Sequence, residues 1–260
     1  MLRGLLRALG VYGLYERWLL HQVKSKPVPQ HVAVIMDGNR RWAQSRTLEP
    51  WLGHLHGADR VEELLDWCLK LGVKTLTLYA FSTENFNRPR EEVEALFKIM
   101  EERILKLIED PRIYRHRVRV KLLGRRELLP EGLRKLIEDV ERKTEGFDQH
   151  FLNIALAYGG RAEIVDAVKQ IAEAVRRGEV DPGEVDEGLI ERHLYTAHLP
   201  NPHPDLIVRT SGEERLSGFL LWQSAYSELC FLDVYWPEFR RIDLLRAIRV
   251  YQSRQRRFGR

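Results

Sequence analysis

The sequence has few cysteines, and neither is placed for a disulfide or a metal site. Cys68 and Cys230 lie far apart among the 260 residues, each within an apolar segment. Neither has a CxxC partner or another metal-ligand spacing. A disulfide framework and a cysteine-based zinc site are therefore not expected. We predict two buried thiols in a reducing, cytoplasmic compartment.

The sequence also lacks an apolar run of the roughly 20 residues that a membrane-spanning helix needs. Residues 1–22 have no apolar block followed by a small-residue cleavage site, so no signal peptide is predicted. Their leucines instead fall near one helical face, with arginines elsewhere. Such a basic amphipathic helix either lies peripherally on a membrane surface or packs on its own domain or on a partner subunit. The pattern leaves these alternatives open.

Charge of one sign is not in large excess. The chain has 42 Lys and Arg against 38 Asp and Glu, a net charge of +4, and 44% of its residues are apolar. This composition indicates a globular protein, and the small basic excess permits an anionic partner without identifying one. The basic residues are mixed with acids along predicted helices and no RNA-binding motif is present, so no nucleic-acid partner is expected.

What the sequence does contain is a regular alternation of strand and helix patterns. This order predicts an α/β fold with a single open, mostly parallel sheet flanked by helices. The "KPVP" segment (26–29) divides an N-terminal amphipathic helix and linker (1–27) from one large domain (28–260). The predicted strands are 32–36, 73–81, 117–123, 151–158, 205–210 and one more within 228–236. The predicted helices are 58–71, 90–108, 130–143, 162–176 and the segment from 242 onward.

Polar residues directly follow four of the predicted strands. In parallel α/β sheets ligands bind beyond the carboxyl ends of the strands, so these four segments should converge on one rim. Taken singly, Asp37 could be a helix cap and Arg209 a structural ion pair. Taken together, the segments favour a site for a phosphorylated ligand. They are residues 37–41, 82–88, 159–161 and 209–217.

The stretch "HVAVIMDGNRRWA" (31–43) passes from a buried strand to a carboxylate, a glycine and two arginines. A helix that begins there presents free N–H groups, and arginine suits forked contacts to phosphate. Asp37 fits beside an anion if Mg²⁺ bridges them. Glu228, at the entrance or exit of another predicted strand, is a candidate second carboxylate. The segment "GHLHG" (53–57) is predicted as a loop beside an anion pocket, which makes His54 a substrate-binding candidate.

Seven segments in unbroken order resemble the motifs of a known family. They are "HVAVIMDGNRRWA", "GHLHGA", "TLYAFSTENFNRP", "LNIALAYGGR", "DLIVRTSGEERLSGFLLWQSAYSEL", "DVYWPEF" and the terminal "RRFG". By this series the chain is similar over residues 28–259 to the cis-prenyltransferases, the undecaprenyl and dehydrodolichyl diphosphate synthases. The series is far more specific than any single motif.

The resemblance implies a reaction and its participants. Isopentenyl diphosphate is condensed repeatedly onto an allylic diphosphate, farnesyl or geranylgeranyl diphosphate, with new cis double bonds. Mg²⁺ is the implied cofactor, and a homodimer is the implied assembly. The implied product is a medium- or long-chain polyprenyl diphosphate, a precursor of glycosyl carrier lipids such as dolichol. The all-helical fold of trans-prenyltransferases is not implied, and no DDxxD motif occurs here.

The resemblance assigns catalytic roles to three residues and metal roles to two. Asp37 would hold Mg²⁺ at the diphosphate, and Glu228 would help to position the metal. Ser82 and Asn85 would help to orient the homoallylic substrate or its departing proton. The general base stays open, because the leaving diphosphate could itself take the proton.

The other assigned residues bind substrate. A first group would bind the allylic diphosphate or line the start of the hydrocarbon pocket. A second group would bind isopentenyl diphosphate, with the C-terminal segment 257–259 reaching the partner's site. The first group is Gly38, Asn39, Arg40, Arg41, Trp42, Phe81, Phe86 and Arg88; the second is Arg209, Arg215, Ser217 and Gly259.

Three departures from the bacterial pattern favour the archaeal or eukaryotic branch. Arg40 replaces the usual glycine, Glu214 stands where a histidine is often a metal neighbour, and "EPWL" precedes "GH" without the usual basic residue. The main alternative is a non-catalytic subunit of a heteromeric prenyltransferase. Such subunits typically lose metal and diphosphate residues, whereas this chain keeps Asp37, Arg209 and Arg215, so an enzyme is favoured.

The length of the product should depend on bulky side chains at the floor of a tunnel. The helix 91–108 and the strand 151–157 are its predicted walls. Each candidate floor residue is also an ordinary core residue by its pattern. The candidates are Leu96, Met100, Ile104 and Leu152.

Overall fold

The computed structural model describes residues 11–254, in which strands and helices alternate along the chain. Six strands lie in the order β3-β4-β2-β1-β5-β6, and all neighbouring pairs are parallel. This architecture confirms the predicted open parallel sheet flanked by helices. The strands are β1 (His31–Ile35), β2 (Thr75–Ser82), β3 (Val118–Leu123), β4 (His150–Tyr158), β5 (Leu206–Arg209) and β6 (Glu228–Phe231). The helices are α1 (Val11–Lys24), α2 (Asn39–Gln44), α3 (Pro50–Leu71), α4 (Arg90–Glu109), α5 (Pro111–Arg115), α6 (Glu131–Thr144), α7 (Gly160–Arg176), α8 (Glu187–His193) and α9 (Arg241–Ser253).

The central strand β1 is buried along its whole length, as expected for a strand covered on both faces. Successive side chains of β1 point to opposite faces, because the side-chain period of a strand is two residues. Val32 and Val34 pack in the larger apolar cluster, whereas Ala33 and Ile35 pack in a smaller one on the other face. The carboxyl ends of β1 and its neighbours therefore meet at one edge of a closely packed sheet.

The strand predicted within residues 228–236 is confirmed, and it occupies the first half of that segment. β6 ends at Phe231, and the chain then turns into a short 3₁₀ segment, Trp236–Glu238, with a proline in its first turn. Trp236 is 1% exposed, and its indole N–H donates to the main-chain oxygen of Gly57 at 2.8 Å. The apolar side chain of Trp236 is therefore buried against α3 and does not belong to the strand.

The segment "GHLHG" lies within α3 and is not a loop, so that prediction is wrong. Pro50 occupies the first turn of the helix, where its missing N–H costs nothing. A Cβ at Gly53 would lie 2.1 Å from the main-chain oxygen of Asn39, and one at Gly57 would lie 2.5 Å from Asn39 Oδ1. These two glycines therefore let α3 pack directly on the start of α2.

The described part of the N-terminal helix packs on its own domain. Leu19 and Val23 are fully buried in the main apolar cluster, and Gln252 of α9 donates to the main-chain oxygen of Val23 at 2.9 Å. Leu14 and Trp18 remain 66% and 46% exposed. The division of the chain at residue 27 stays a prediction. Within residues 11–254, no helix has the length and apolar character to cross a membrane.

We predict that Gly53→Ala destabilises the fold although alanine is the better helix former. The added methyl group would meet the main-chain oxygen of Asn39, which cannot move away as a flexible side chain would. We expect a loss of about 1–3 kcal/mol in the free energy of unfolding, measured by denaturant titration. Gly13→Ala in α1 is the matched control, since a Cβ there has no atom within 4 Å. The control should be neutral or stabilising by up to about 1 kcal/mol, and equal effects of the two changes would contradict this account.

Candidate active site

Two residues predicted from separate strand ends lie in direct contact. Arg209 ends β5 opposite Ile35 of β1, and Asp37 follows two residues later. Arg209 Nη2 donates to Asp37 Oδ2 at 2.8 Å, and the side chains are 5% and 28% exposed. Arg209 Nη1 donates to Ser217 Oγ at 2.8 Å and to the main-chain oxygen of Arg215. One nearly buried guanidinium thus holds both the carboxylate and the segment that follows β5.

The Asp37 carboxylate is ionised at neutral pH. Burial raises its pKa, but the hydrogen bonds from Arg209 and Ser211 and the positive charges of Arg209 and Arg41 outweigh burial and hold the pKa below its usual value. Arg41 Nη2 lies 3.4 Å from Asp37 Oδ1. Arg41 also donates to Ser211 and Glu213, so its guanidinium fixes the loop after β5.

The backbone around Gly38 has little free space. Gly38 has a φ of 102°, which favours glycine, and a Cβ there would lie 2.6 Å from Tyr235 Cδ1. The packing against Tyr235 therefore requires glycine at position 38, and the role of Gly38 in binding the allylic diphosphate stays a prediction. Gly38, and not Asp37, is the N-cap residue of α2. The ordinary explanation of Asp37 as a helix cap does not hold.

A second group of predicted residues surrounds an acid that sequence reasoning missed. Glu92 Oε1 lies 3.3 Å from Arg88 Nη1, 3.6 Å from Arg40 Nε and 3.8 Å from His54 Nε2. The spacing of four between Arg88 and Glu92 on a helical pattern was the signal that could have found this acid. The side chain of Glu92 is 9% exposed, and its carboxylate is the shared partner of Arg88 and Arg40.

His54 is neutral at physiological pH. Burial, together with the positive charges of Arg88 and Arg40, lowers its pKa to about 3. Within residues 11–254 its Nε2 atom has no hydrogen-bond partner. His54 lies on α3, beside the start of a cavity. Its Nε2 atom can therefore form a hydrogen bond with an oxygen-rich ligand, and the charge of the ring does not change near pH 7.

Ser82 and Asn85 cap the 3₁₀ turn Thr83–Asn87 that follows β2. Asn85 Oδ1 accepts from the Ser82 N–H at 3.1 Å, and the Ser82 hydroxyl accepts from the N–H of Asn85 in return. Both residues also line the cavity. The reciprocal bonds fix their positions, and their catalytic role stays a prediction.

The cavity has a volume of about 1330 Å³ and begins at the polar strand ends. It continues between α3 and α4 over one face of the sheet. All four candidate floor residues line it: Leu96, Met100, Ile104 and Leu152. The other sequence-predicted residues in its lining are Asp37, Asn39, His54, Phe81, Ser82, Asn85, Arg88, Arg209 and Ser217.

Two predicted pocket residues do not line the cavity. Trp42 packs beside His56, with ring centroids 4.9 Å apart, and under the guanidinium of Arg46. Phe86 packs edge-on against Phe81 at 4.9 Å. Phe86 supports the cavity wall through Phe81, whereas Trp42 packs against residues outside the lining, so the direct placement of both rings in the wall is corrected. Arg215, 63% exposed and paired with Glu213, also lies outside the lining.

Glu228 and Asp37 lie at opposite ends of the parallel strands. Glu228 begins β6, opposite Leu206 at the start of β5, whereas Asp37 lies beyond the end of β1. Its carboxylate accepts from Arg254 Nη1 at 2.9 Å. The prediction that Glu228 helps to position the metal held by Asp37 therefore does not fit the geometry of a single chain. Gly259 lies outside the described residues.

A buried hydrogen-bond network that the sequence did not reveal fixes the segment after Ser217. Glu163 of α7 is 1% exposed and accepts from the Tyr158 hydroxyl at 2.5 Å, from Gln223 Nε2 at 2.9 Å and from the Tyr195 N–H at 2.9 Å. Burial raises the pKa of Glu163, against the effect of these three donors. The network links the end of β4 to the segment that Arg209 also holds.

The donor set at the cavity mouth fits Mg²⁺ bound together with a phosphorylated ligand. Within residues 11–254, no group of three or more histidine, cysteine or acidic side chains could form a complete metal site. Mg²⁺ often uses only one or two protein carboxylates and takes its other ligands from substrate phosphates and water. The ionised Asp37 at the cavity end meets that need with one carboxylate.

Several known proteins resemble this chain in sequence and in fold. The family model described as "Putative undecaprenyl diphosphate synthase" matches residues 35–259. A tritrans,polycis-undecaprenyl-diphosphate synthase (geranylgeranyl-diphosphate specific) of Methanopyrus kandleri is 58% identical, covering 96% of this chain and 92% of that protein. An isoprenyl transferase of Thermus thermophilus is 55% identical, covering 96% of each chain. The crystal structure of lavandulyl diphosphate synthase from Lavandula x intermedia, in complex with dimethylallyl diphosphate, has a TM-score of 0.87 and 36% identity, covering 90% of this chain and 99% of that one.

We predict that Arg88→Met weakens the binding of inorganic pyrophosphate with Mg²⁺ by about 10- to 100-fold, the range expected for loss of a charged hydrogen bond. Arg88 lines the cavity and its side chain is 24% exposed. Arg90→Met is the matched control, because Arg90 lies two residues away with its side chain 92% exposed. Titration calorimetry measures both affinities. Equal losses in the two variants would show that Arg88 does not contact the anion.

Proposed function

This chain belongs to the undecaprenyl diphosphate synthase family of prenyltransferases, and from that premise we propose that it condenses isopentenyl diphosphate repeatedly onto an allylic diphosphate. The product would be a medium- or long-chain cis-polyprenyl diphosphate, a precursor of a glycosyl carrier lipid. One observation carries the proposal: an ionised carboxylate, Asp37, beside the nearly buried Arg209 at one end of a large cavity that is apolar in its middle. A diphosphate at that end would place its hydrocarbon chain in the cavity.

Geranylgeranyl diphosphate is the proposed primer, ahead of farnesyl diphosphate. The relatives from Methanopyrus kandleri and Thermococcus kodakarensis, 58% and 55% identical to this chain, are both named geranylgeranyl-diphosphate specific. The apolar lining between α3 and α4 supports a primer with a long hydrocarbon tail. Specificity of this kind follows from the fit of the tail, since both primers carry the same diphosphate.

Two groups of residues would bind the two diphosphates. Arg88, with Arg40 close to it, would bind the allylic diphosphate, and the neutral His54 would add a hydrogen bond. Arg209 and Ser217, already joined by a hydrogen bond, would bind isopentenyl diphosphate. Binding both substrates in register at one cavity mouth converts a bimolecular condensation into a reaction within one complex.

Charge stabilisation is the second contribution of these residues. The bond between the allylic carbon and its diphosphate oxygen breaks as the new carbon–carbon bond forms, so negative charge develops on the leaving group. Mg²⁺, held by Asp37, would supply Lewis-acid stabilisation of that charge. Arg88 and Arg40 are fixed beforehand by Glu92 and therefore need little reorganisation to assist. Ser82 and Asn85 would orient the homoallylic substrate, whose proton the departing diphosphate can take.

The proposed assembly is a homodimer in which the C-terminal segment 257–259 reaches the partner's site. We also propose a cytoplasmic protein with peripheral membrane contact through its N-terminal helix. Leu14 and Trp18 are exposed on α1, and Arg249 lies 5.2 Å from the centre of the Trp18 ring. An exposed apolar surface bordered by arginine is the pattern that interfacial helices use.

The proposed function is tested with labelled isopentenyl diphosphate, Mg²⁺ and either geranylgeranyl or farnesyl diphosphate. We expect label in an extractable polyprenyl fraction, faster with the geranylgeranyl primer, and loss of incorporation when EDTA removes the metal. Product sizing by chromatography gives the chain length. If the folded protein alone incorporates no label, the result would favour the alternative of a non-catalytic subunit of a heteromeric prenyltransferase.

We predict that Asp37→Asn lowers turnover by about 100-fold or more, as does loss of one preorganised charge-stabilising group in other enzymes. The change keeps the side-chain shape but removes the charge that would hold Mg²⁺. Asp148→Asn is the control, because Asp148 also pairs with an arginine and its side chain is 65% exposed. Thermal unfolding verifies that both variants are folded. Turnover of Asp37→Asn equal to that of the control would remove Asp37 from its proposed role.

A further inference from the structure

On α4, charged side chains enter the cavity lining only at the far end of the cavity, whereas the middle of the cavity is apolar. Along this helix the lining passes from Leu96 and Met100 to Arg103 and Lys106, which alternate with the apolar Ile104 and Leu107, and it continues with residues 109–112. At 1.5 Å per residue, Arg103 lies about 20 Å along α4 from Arg90. The floor of bulky apolar side chains expected from the sequence is therefore bordered by ionic groups at this depth.

Arg103 joins the two helices that form the cavity walls. Its Nη1 atom donates to Glu62 at 2.7 Å and its Nη2 atom to Asp59 at 2.6 Å, both on α3. Arg112, just beyond α4, donates to the main-chain oxygen of Glu62 at 3.2 Å. We call Arg103, Asp59 and Glu62 the ionic clasp. It spans the gap between α3 and α4 where the charged part of the lining begins.

The three side chains of the ionic clasp differ in how far they are buried. Arg103 is 18% exposed, whereas Asp59 and Glu62 are 56% and 46% exposed. Arg103 and Glu62 line the cavity, and Asp59 does not. The Arg103 Nε atom has no hydrogen-bond partner within residues 11–254. Arg103 is therefore the most buried member of the clasp, and it shares the cavity lining with Glu62.

A hydrocarbon chain cannot pass this guanidinium without a penalty. An apolar group placed against it displaces water and returns no hydrogen bond, so the charged group is desolvated without compensation. Moving the side chain aside instead breaks two charge-assisted hydrogen bonds at once. Either event opposes further growth of a chain whose end has reached the clasp.

We propose that the ionic clasp limits the length of the prenyl chain, with Arg103 as the specificity-determining residue. This inference rests on the proposed function. The growing end advances through the apolar middle of the cavity and stops where the guanidinium of Arg103 closes the space between α3 and α4. Removing the charge extends the apolar wall and lets the chain pass between the two helices.

The test compares the products of Arg103→Met and of the parent protein with labelled isopentenyl diphosphate and geranylgeranyl diphosphate. We expect the mean product to lengthen by at least one isoprene unit. The rate of the first condensation, measured at low isopentenyl diphosphate, should change by less than about twofold, because the clasp is remote from the diphosphates. Arg142→Met, which removes an exposed arginine paired with Asp139 on α6, is the control and should leave the length unchanged.

A second variant keeps Arg103 and removes its partners' charges, Asp59→Asn with Glu62→Gln, and should also lengthen the product. If Arg103→Met does not fold, this variant decides the matter. Unchanged or shorter products, with only a lower unfolding temperature, would show that the clasp is merely a structural tie and would overturn the proposal. A parent protein that makes no labelled polyprenyl at all would instead refute the proposed function.

Discussion

The ion pair between Asp37 and Arg209 is the interaction on which the site depends. It joins the ends of two neighbouring parallel strands, and its guanidinium also holds Ser217 in the following segment. Without Asp37, a cation that is 5% exposed would lose its only described carboxylate partner. Without Arg209, the carboxylate would lose a hydrogen bond and a positive charge that lower its pKa. The pair therefore fixes, before any ligand binds, the arrangement that the proposed metal and diphosphate would use.

The strand ends could be predicted from the sequence because parallel strands place their carboxyl ends at one edge. That rule brought together Asp37 and Arg209, which are 172 positions apart in the chain. The rule did not apply to Glu228, because Glu228 begins β6 and does not follow the end of a strand. The prediction of a loop at "GHLHG" was also wrong, because its glycines allow close helix packing and do not mark a loop.

Contacts between helices were the least predictable part of the site. Glu92 and Glu163 each bind several partners, yet in the sequence they look like ordinary helical acids. Arg103 likewise reads as one cation among many on an amphipathic helix, and only the packing of α4 on α3 brings it to Glu62. Such pairs depend on the rotation and spacing of two helices on a sheet, which local periodicity does not determine.

Along the cavity the polar strand ends come first, the apolar lining between α3 and α4 follows, and charged side chains lie at the far end. The most direct test is a crystal structure with Mg²⁺, isopentenyl diphosphate and an unreactive thio-analogue of geranylgeranyl diphosphate. We expect the diphosphates within hydrogen-bond distance of Arg209 and Arg88 and the tail between the two helices. Diphosphates bound away from Asp37 and Arg209, or a tail outside this cavity, would contradict the account.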